Sequence, residues 1–358
     1  MVIINDDGVE TTIHHYPIAR ADLDALESFL RSSGCFGASF VDVDPYSASV
    51  YLEQYCRDET ETTFYLDRNI FSQVLDLVGG HKVSDRNRLG ASVMAFVACA
   101  ESNVSASVAM FEGHLSGASR DWKEEKILFE TATALSAREW ASISLGYAES
   151  LKSAATMDRN GIMLPEGFDI SRAQSPFGFV YPALLYVAIL QRRGGSKAHR
   201  MSAFIRWVHE RWLYSFPVLL FAMKTFSSKP FRGALKGIGS ADPDRVLRGV
   251  RNAAWDLTHI THLFKETKSQ SEQNRLSVFC SADKETVALA DWLMPGMYGE
   301  DRYSDFMSQE FGQSITDLYW RLSRATDDMD RQANKWKGRT EEYGRTITTE
   351  LESVLRST

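Results

Sequence analysis

The chain has 358 residues, of which 44% are hydrophobic and 24% charged, with a formal net charge of −7. This is globular composition, long enough for one large core or two smaller ones, and it excludes a global basic field. Attraction to nucleic acid would have to come from local Lys/Arg patches or from bound metal ions. The cysteines Cys35, Cys56, Cys99 and Cys280 form no CxxC pair. That argues against a disulfide framework or a four-cysteine zinc site, and for reduced thiols.

The opening MVIINDDGVETT has no basic region followed by a long apolar run, so no signal peptide is expected. The longest apolar runs, YPALLYVAIL and FPVLLFAM, are about half of what spans a bilayer. The expectation is a soluble, cytoplasmic protein without a membrane partner.

In chain order, residues 1–60 read as a prelude. ARADLDALESFLRSSG places Leu23, Leu26, Phe29 and Leu30 at helical spacing, with Gly34 as a stop. ASFVDVD and SASVYLEQY are candidate strands. A strand at 63–67 and a helix from about Asn69 to Val78 follow. GGHKVSDRNR is a loop, and LGASVMAFVACAES is a nearly all-apolar helix, buried on most sides. Val104–Ser107 reads as an extended link and Val108–His114 as a helical turn carrying Glu112.

Residues 119–241 read as a helical insertion. It contains WKEEKILFETATALSAREWASISLGYAESLKSA, VYPALLYVAILQRR and AHRMSAFIRWVHERWLYSFPVLLFAMKTF, with a loop at NGIMLPEGFDISRAQSPFG. Asp242 as N-cap and Pro243 in the first turn open a helix to about Lys265. A strand at Leu276–Ser281, Asp283 and another helix come next. Residues 296–358 form a charged helical tail. Strands followed by helices favour an α/β architecture with parallel strands.

Four acids stand out by position. Asp67 and Asp283 each follow a strand, and ligands of open parallel sheets sit beyond the carboxyl ends of strands. An acid there is equally a good helix N-cap. Asp256 lies at the border of the stripe Val246, Val250, Ala253, Leu257, Ile260 and Phe264, and Glu112 closes a run with no polar side chain larger than Asn. Gathered carboxylates repel unless they are protonated or hold cations. Mg²⁺ and Mn²⁺ take such oxygens and activate water for phosphodiester hydrolysis.

These residues resemble the PIN-domain family of metal-dependent nucleases. FYLDRN resembles its strand-ending Asp signature, with Asp67 and Asn69. NVSASVAMFE matches its Glu segment through Glu112, with Ser107 where Pro is common. NAAWDL supplies Asp256. CSAD resembles the closing T-x-D, with Ser281 for Thr and Asp283 as the acid. The resemblance implies a PIN-like parallel-sheet core over 61–118 and 242–295, split by the insertion. It also implies a metal quartet of Asp67, Glu112, Asp256 and Asp283 on Mg²⁺ or Mn²⁺, oriented by Asn69 and Ser281. The implied substrate is RNA rather than DNA, in the setting of a toxin-like or phage-defence effector. Glu101 is the rival to Glu112. The alternative is a mainly helical binding or regulatory protein without catalysis.

RVLRGVR places Arg245, Arg248 and Arg251 on the helix that carries Asp256, where they can hold phosphates without reading sequence. His259 lies on the flank of Asp256 and is a candidate substrate contact. DLTHITH spaces its histidines poorly for zinc, and GALKGIGS lacks the P-loop arrangement. The insertion or the tail is the expected place for self-association or a regulatory partner.

Overall fold

The computed structural model describes residues 2–4, 10–12, 15–38, 44–117, 120–156, 176–213, 215–231, 233, 235–270, 274–293, 302–326 and 341–358. Its elements in chain order begin with β1 (Val2–Ile4), β2 (Glu10–Thr12), α1 (Arg20–Ser33), β3 (Phe36–Ala38), α2 (Ala48–Asp58), β4 (Glu61–Leu66), α3 (Arg68–Val78), α4 (Arg88–Cys99), β5 (Asn103–Ser105) and α5 (Ser107–Ser116). They continue with α6 (Trp122–Ala134), α7 (Ala137–Ser144), α8 (Lys152–Thr156), α9 (Phe177–Arg193), α10 (Lys197–Arg211), α11 (Phe216–Phe226) and α12 (Pro243–Gln270). The last are β6 (Arg275–Cys280), α13 (Lys284–Leu293), α14 (Arg302–Phe311), α15 (Gln313–Thr326) and α16 (Glu341–Ser357). The chain forms two compact units, one of Met1–Gln174 with Leu263–Asp291, the other of Ser175–His262 with Trp292–Thr358.

The first unit is built on a four-stranded sheet of order β3-β6-β4-β5. β4 runs parallel to β5 and to β6, with Phe64 opposite Val104 on one side and Val278 on the other. β3 is antiparallel to β6, so the sheet is mixed rather than wholly parallel. Three residues carry no directional signal in sequence, and an antiparallel edge on a parallel sheet is common. β6 is buried along its whole length after Arg275, as expected of a strand covered on both faces. The ring of Phe64 meets those of Tyr51, Phe36 and Phe96 at 5.3, 5.4 and 5.9 Å between centroids.

Helix α1 follows its sequence pattern. Leu23, Leu26 and Leu30 are wholly buried, Phe29 is half-buried, and Gly34 closes the helix at φ 65° with its N–H on the Leu30 carbonyl. The left-handed conformation there is one that glycine adopts without a Cβ penalty.

Several expectations are corrected. SASVYLEQY is helical, because Ala48, Tyr51 and Leu52 bury at i, i+3 and i+4 whatever the strand preference of Val50 and the tyrosines. Residues 1–60 are more than a prelude. β3 is an edge strand of the sheet, and α1 packs into the same core as Phe64 and Val278. The helical block from 119 does not begin a separate insertion either. Leu128, Phe129, Trp140 and Ile143 join that same core. Asp256 falls in the second unit rather than with a core spanning 242–295. Residues 39–43 of ASFVDVD, 160–175 of the long loop and 327–340 of the tail lie outside the described residues.

One buried ion pair braces the first unit. Glu125 of α6 is 1% exposed and receives both guanidinium nitrogens of Arg68, at 2.6 and 2.8 Å. Arg68 Nη1 also donates to the Ala109 carbonyl of α5 at 3.1 Å. The guanidinium passes directly over Gly113, where a Cβ would collide with it.

In the second unit, α9 packs against α10, α11 and α16. Tyr181 donates to Glu352 at 2.7 Å and the Trp212 indole to the Phe179 carbonyl at 2.8 Å. Glu310 Oε2 accepts from Lys197 Nζ at 2.9 Å and from the Ser228 N–H and hydroxyl at 2.9 and 2.8 Å. Among the described residues no helix is long and apolar enough to cross a membrane.

These pairs make three predictions. Removing Glu125 leaves the Arg68 charge unpaired in a largely buried place. Glu125→Ala should therefore cost about 3 kcal/mol or more in urea unfolding, and Arg68→Met combined with Glu125→Leu should recover most of it. Gly113→Ala should also destabilise, by pushing Arg68 off Glu125. For Glu310, the Lys197 ammonium and the Ser228 donors hold the carboxyl down to about 2. A depressed carboxyl contributes its full stability above its unfolded value of about 4.3 and loses it as pH falls through about 2. Glu310→Gln should thus unfold at lower urea than the parent at pH 7, and the gap should close by pH 2.

Candidate functional site

Asp67 sits at the carboxyl end of β4 and is 5% exposed. Its backbone N–H donates to the Cys280 carbonyl of β6 at 2.9 Å. Its side chain caps α3, where Oδ1 accepts from the N–H groups of Asn69 and Ile70 at 3.1 and 3.0 Å. Asp67 is therefore a helix cap, as its position allowed. A cap, however, does not account for Oδ2, which accepts the Ser281 hydroxyl. Both carboxylate oxygens of Asp67 thus accept hydrogen bonds.

Ser281 is wholly buried and links the ends of two strands. Its N–H reaches the Cys35 carbonyl at 2.9 Å, and its hydroxyl accepts the Asp283 N–H at 3.0 Å while donating to Asp67. Asp283 in turn accepts the Glu285 N–H at 2.9 Å as the cap of α13. The Asn69 side-chain oxygen accepts the Ala282 N–H at 2.9 Å, tying the start of α3 to the turn after β6. Asn69 and Ser281 thus join the Asp67 and Asp283 segments.

Glu112 lies on α5, the helix that follows β5, and is half-buried. Glu101 occupies the turn before β5 at φ 48° and is exposed. Because β4, β5 and β6 run parallel, their carboxyl ends share one edge of the sheet. Asp67, Glu112 and Asp283 follow those ends, whereas Glu101 precedes the opposite end of β5. Direction of strand thus separates the two glutamates, which composition alone did not.

Asp256 is half-buried on α12 in the second unit, between the buried Trp255 and Leu257. His259 of the same helix is 6% exposed. Arg248 and Arg251 are exposed and lie 3.7 Å from Asp242 and 3.8 Å from Glu352. Arg251 also lies over the Tyr181 ring at 5.5 Å, and Arg245 is exposed at the start of the helix. Exposed pairs of this kind are weak.

Among the described residues, no three His, Cys, Asp or Glu side chains come together as a metal-holding group. The expected quartet is therefore not assembled as one cluster. What is assembled is the Asp67–Ser281–Asp283 arrangement, and Mg²⁺ is commonly held by only one or two carboxylates with several waters retained.

The neighbouring thiols are not candidates for nucleophilic chemistry. Burial pushes Cys35 up to about 12 and Cys280 well above its ordinary value, with the Asp67 charge adding to both. Both remain protonated, and the thiolate is the reactive form.

No protein family, curated protein or solved structure matches the chain.

Proposed function

We propose that the chain is a divalent-metal-dependent hydrolase of phosphodiester bonds, with its site at the carboxyl edge of the sheet in the first unit. One observation carries this reading: Ser281 donates to the buried Asp67 carboxylate and accepts from the Asp283 amide, at the ends of two adjacent parallel strands. A crevice beyond such ends is where ligands of open parallel sheets bind. The resemblance of FYLDRN and CSAD to PIN nucleases supports the same site and favours RNA as substrate, in the cytoplasm.

In this reading Asp67 and Asp283 hold Mg²⁺ or Mn²⁺, with Glu112 as the next acid along the edge. The ion supplies charge stabilisation at the phosphoryl oxygens and an activated water. Ser281 fixes the Asp67 carboxylate by donating to it. Asn69 holds the two strand ends in register. Arg68, paired to Glu125, is not available to substrate and braces α5 instead.

The test uses mixed-sequence RNA and Mn²⁺. The parent protein should cleave, EDTA should stop it, and Asp67→Asn and Asp283→Asn should fall to the level of the EDTA control. Asparagine caps helices as well as aspartate does, so Asp67→Asn should fold normally. Ser281→Ala should weaken the apparent metal affinity by about 10-fold, as loss of an outer partner does. Cleavage that resists EDTA, or equal cleavage by parent and Asp67→Asn, would overturn the proposed site, and no cleavage by either would leave a non-catalytic helical binding protein as the better description.

A further inference from the structure

A cavity of about 460 Å³ opens on the outer side of β5, at the edge of the sheet. That is within the size range of small-ligand clefts, about 300–1,000 Å³. Its floor is apolar and includes Met94, Val97 and Phe129. Its rim is polar and uncharged at Asn103, Ser107 and Thr133. The one charged pair in the lining, Lys126 with Glu130, is closed on itself.

We infer that this cavity receives one unstacked base of a single-stranded RNA substrate. The inference rests on the proposed hydrolase site and adds to it a subsite for recognition. The chemistry of the lining selects a neutral planar ring. An aromatic side chain and methionine sulfurs offer partners for a flat π face. A side-chain amide and hydroxyls at the rim offer donors and acceptors for the edge of a base. An ion would find no net charge there. Asn103 is exposed and makes no side-chain hydrogen bond among the described residues, so its amide is available to read that edge.

Position supports the same occupant. α5 contributes Ser107 and Met110 to the cavity and also carries Glu112. β5 is the immediate neighbour of β4, whose end bears Asp67. Asn103 pairs with Thr63, four residues before Asp67, so a base read by Asn103 lies about 13 Å along the strands from Asp67, a span that a few nucleotides of extended single strand bridge.

The experiment has a binding arm and a cleavage arm. Methyl-labelled methionine spectra of the full chain are recorded with AMP, GMP, CMP and UMP at millimolar concentration. At least one nucleotide should shift Met94 and Met110 saturably, and Thr133→Trp, which fills the cavity from its exposed rim, should weaken that binding by at least about 10-fold. In the second arm, Mn²⁺-dependent cleavage of random RNA should favour one base at a fixed position, and Asn103→Ala should flatten that preference. Failure of all four nucleotides to shift these methyls overturns the inference, as does a base preference unchanged in both variants. Capture of extended peptides by β5 in place of nucleotides would also overturn it. Asp67-dependent cleavage without nucleotide binding would sink only the base subsite. Nucleotide binding without metal-dependent cleavage would sink the hydrolase reading and leave the cavity as a base-binding site.

Discussion

A buried carboxylate has to be answered by donors, and at the end of β4 that requirement ties together segments far apart in the chain. Asp67 is 5% exposed and takes donors from the first turn of α3 and from Ser281 after β6. Ser281 is itself anchored to the Cys35 carbonyl ahead of β3. The pairing of β6 with both β3 and β4 and the entry of α3 therefore converge on one group. A charge held this way costs little only while every donor stays in place.

The brace on the other side of α3 works by the same logic with opposite sign. Arg68 follows Asp67 directly, yet its guanidinium turns to Glu125 and the Ala109 carbonyl. The pair draws α5 and α6 onto α3, and Gly113 leaves the passage it needs. Glu112 and the cavity wall at Met110 both ride on α5, so their placement depends on this pair. Adjacent residues of opposite charge thus serve different tasks: one faces the strand ends, the other sets the helix beside them.

The second unit uses different means. Its helices bury long aromatic contacts, among them the stacked rings of Tyr186 and Trp207 at 4.5 Å and of Phe177 and Trp255 at 4.2 Å. Exposed and half-exposed ion pairs such as Lys197–Glu310 and Arg211–Glu350 then fasten element ends at low individual energy. The basic face of α12 belongs to this unit, and Arg248 and Arg251 on it already have acidic neighbours.

Local signals in the sequence were strong wherever one residue type has one structural use. Gly34 as a stop, Asp242 and Pro243 as a start, and the periodic leucines of α1 were legible because capping and burial act over a single turn. The strands expected at 63–67 and 276–281, observed at 61–66 and 275–280, and the acids beside their ends were legible for the same reason. Long-range choices were not. The strand reading of SASVYLEQY failed because burial at helical spacing outweighed β preference. The direction of three-residue β3, the membership of α6 and α7 in the first core, and the place of Asp256 in the second unit all depend on contacts between distant segments. The sequence determined which acids stand at strand and helix ends. Only the tertiary structure decided which of them share a hydrogen-bond network, because a carboxylate's partners are chosen by the strands that pair beside it.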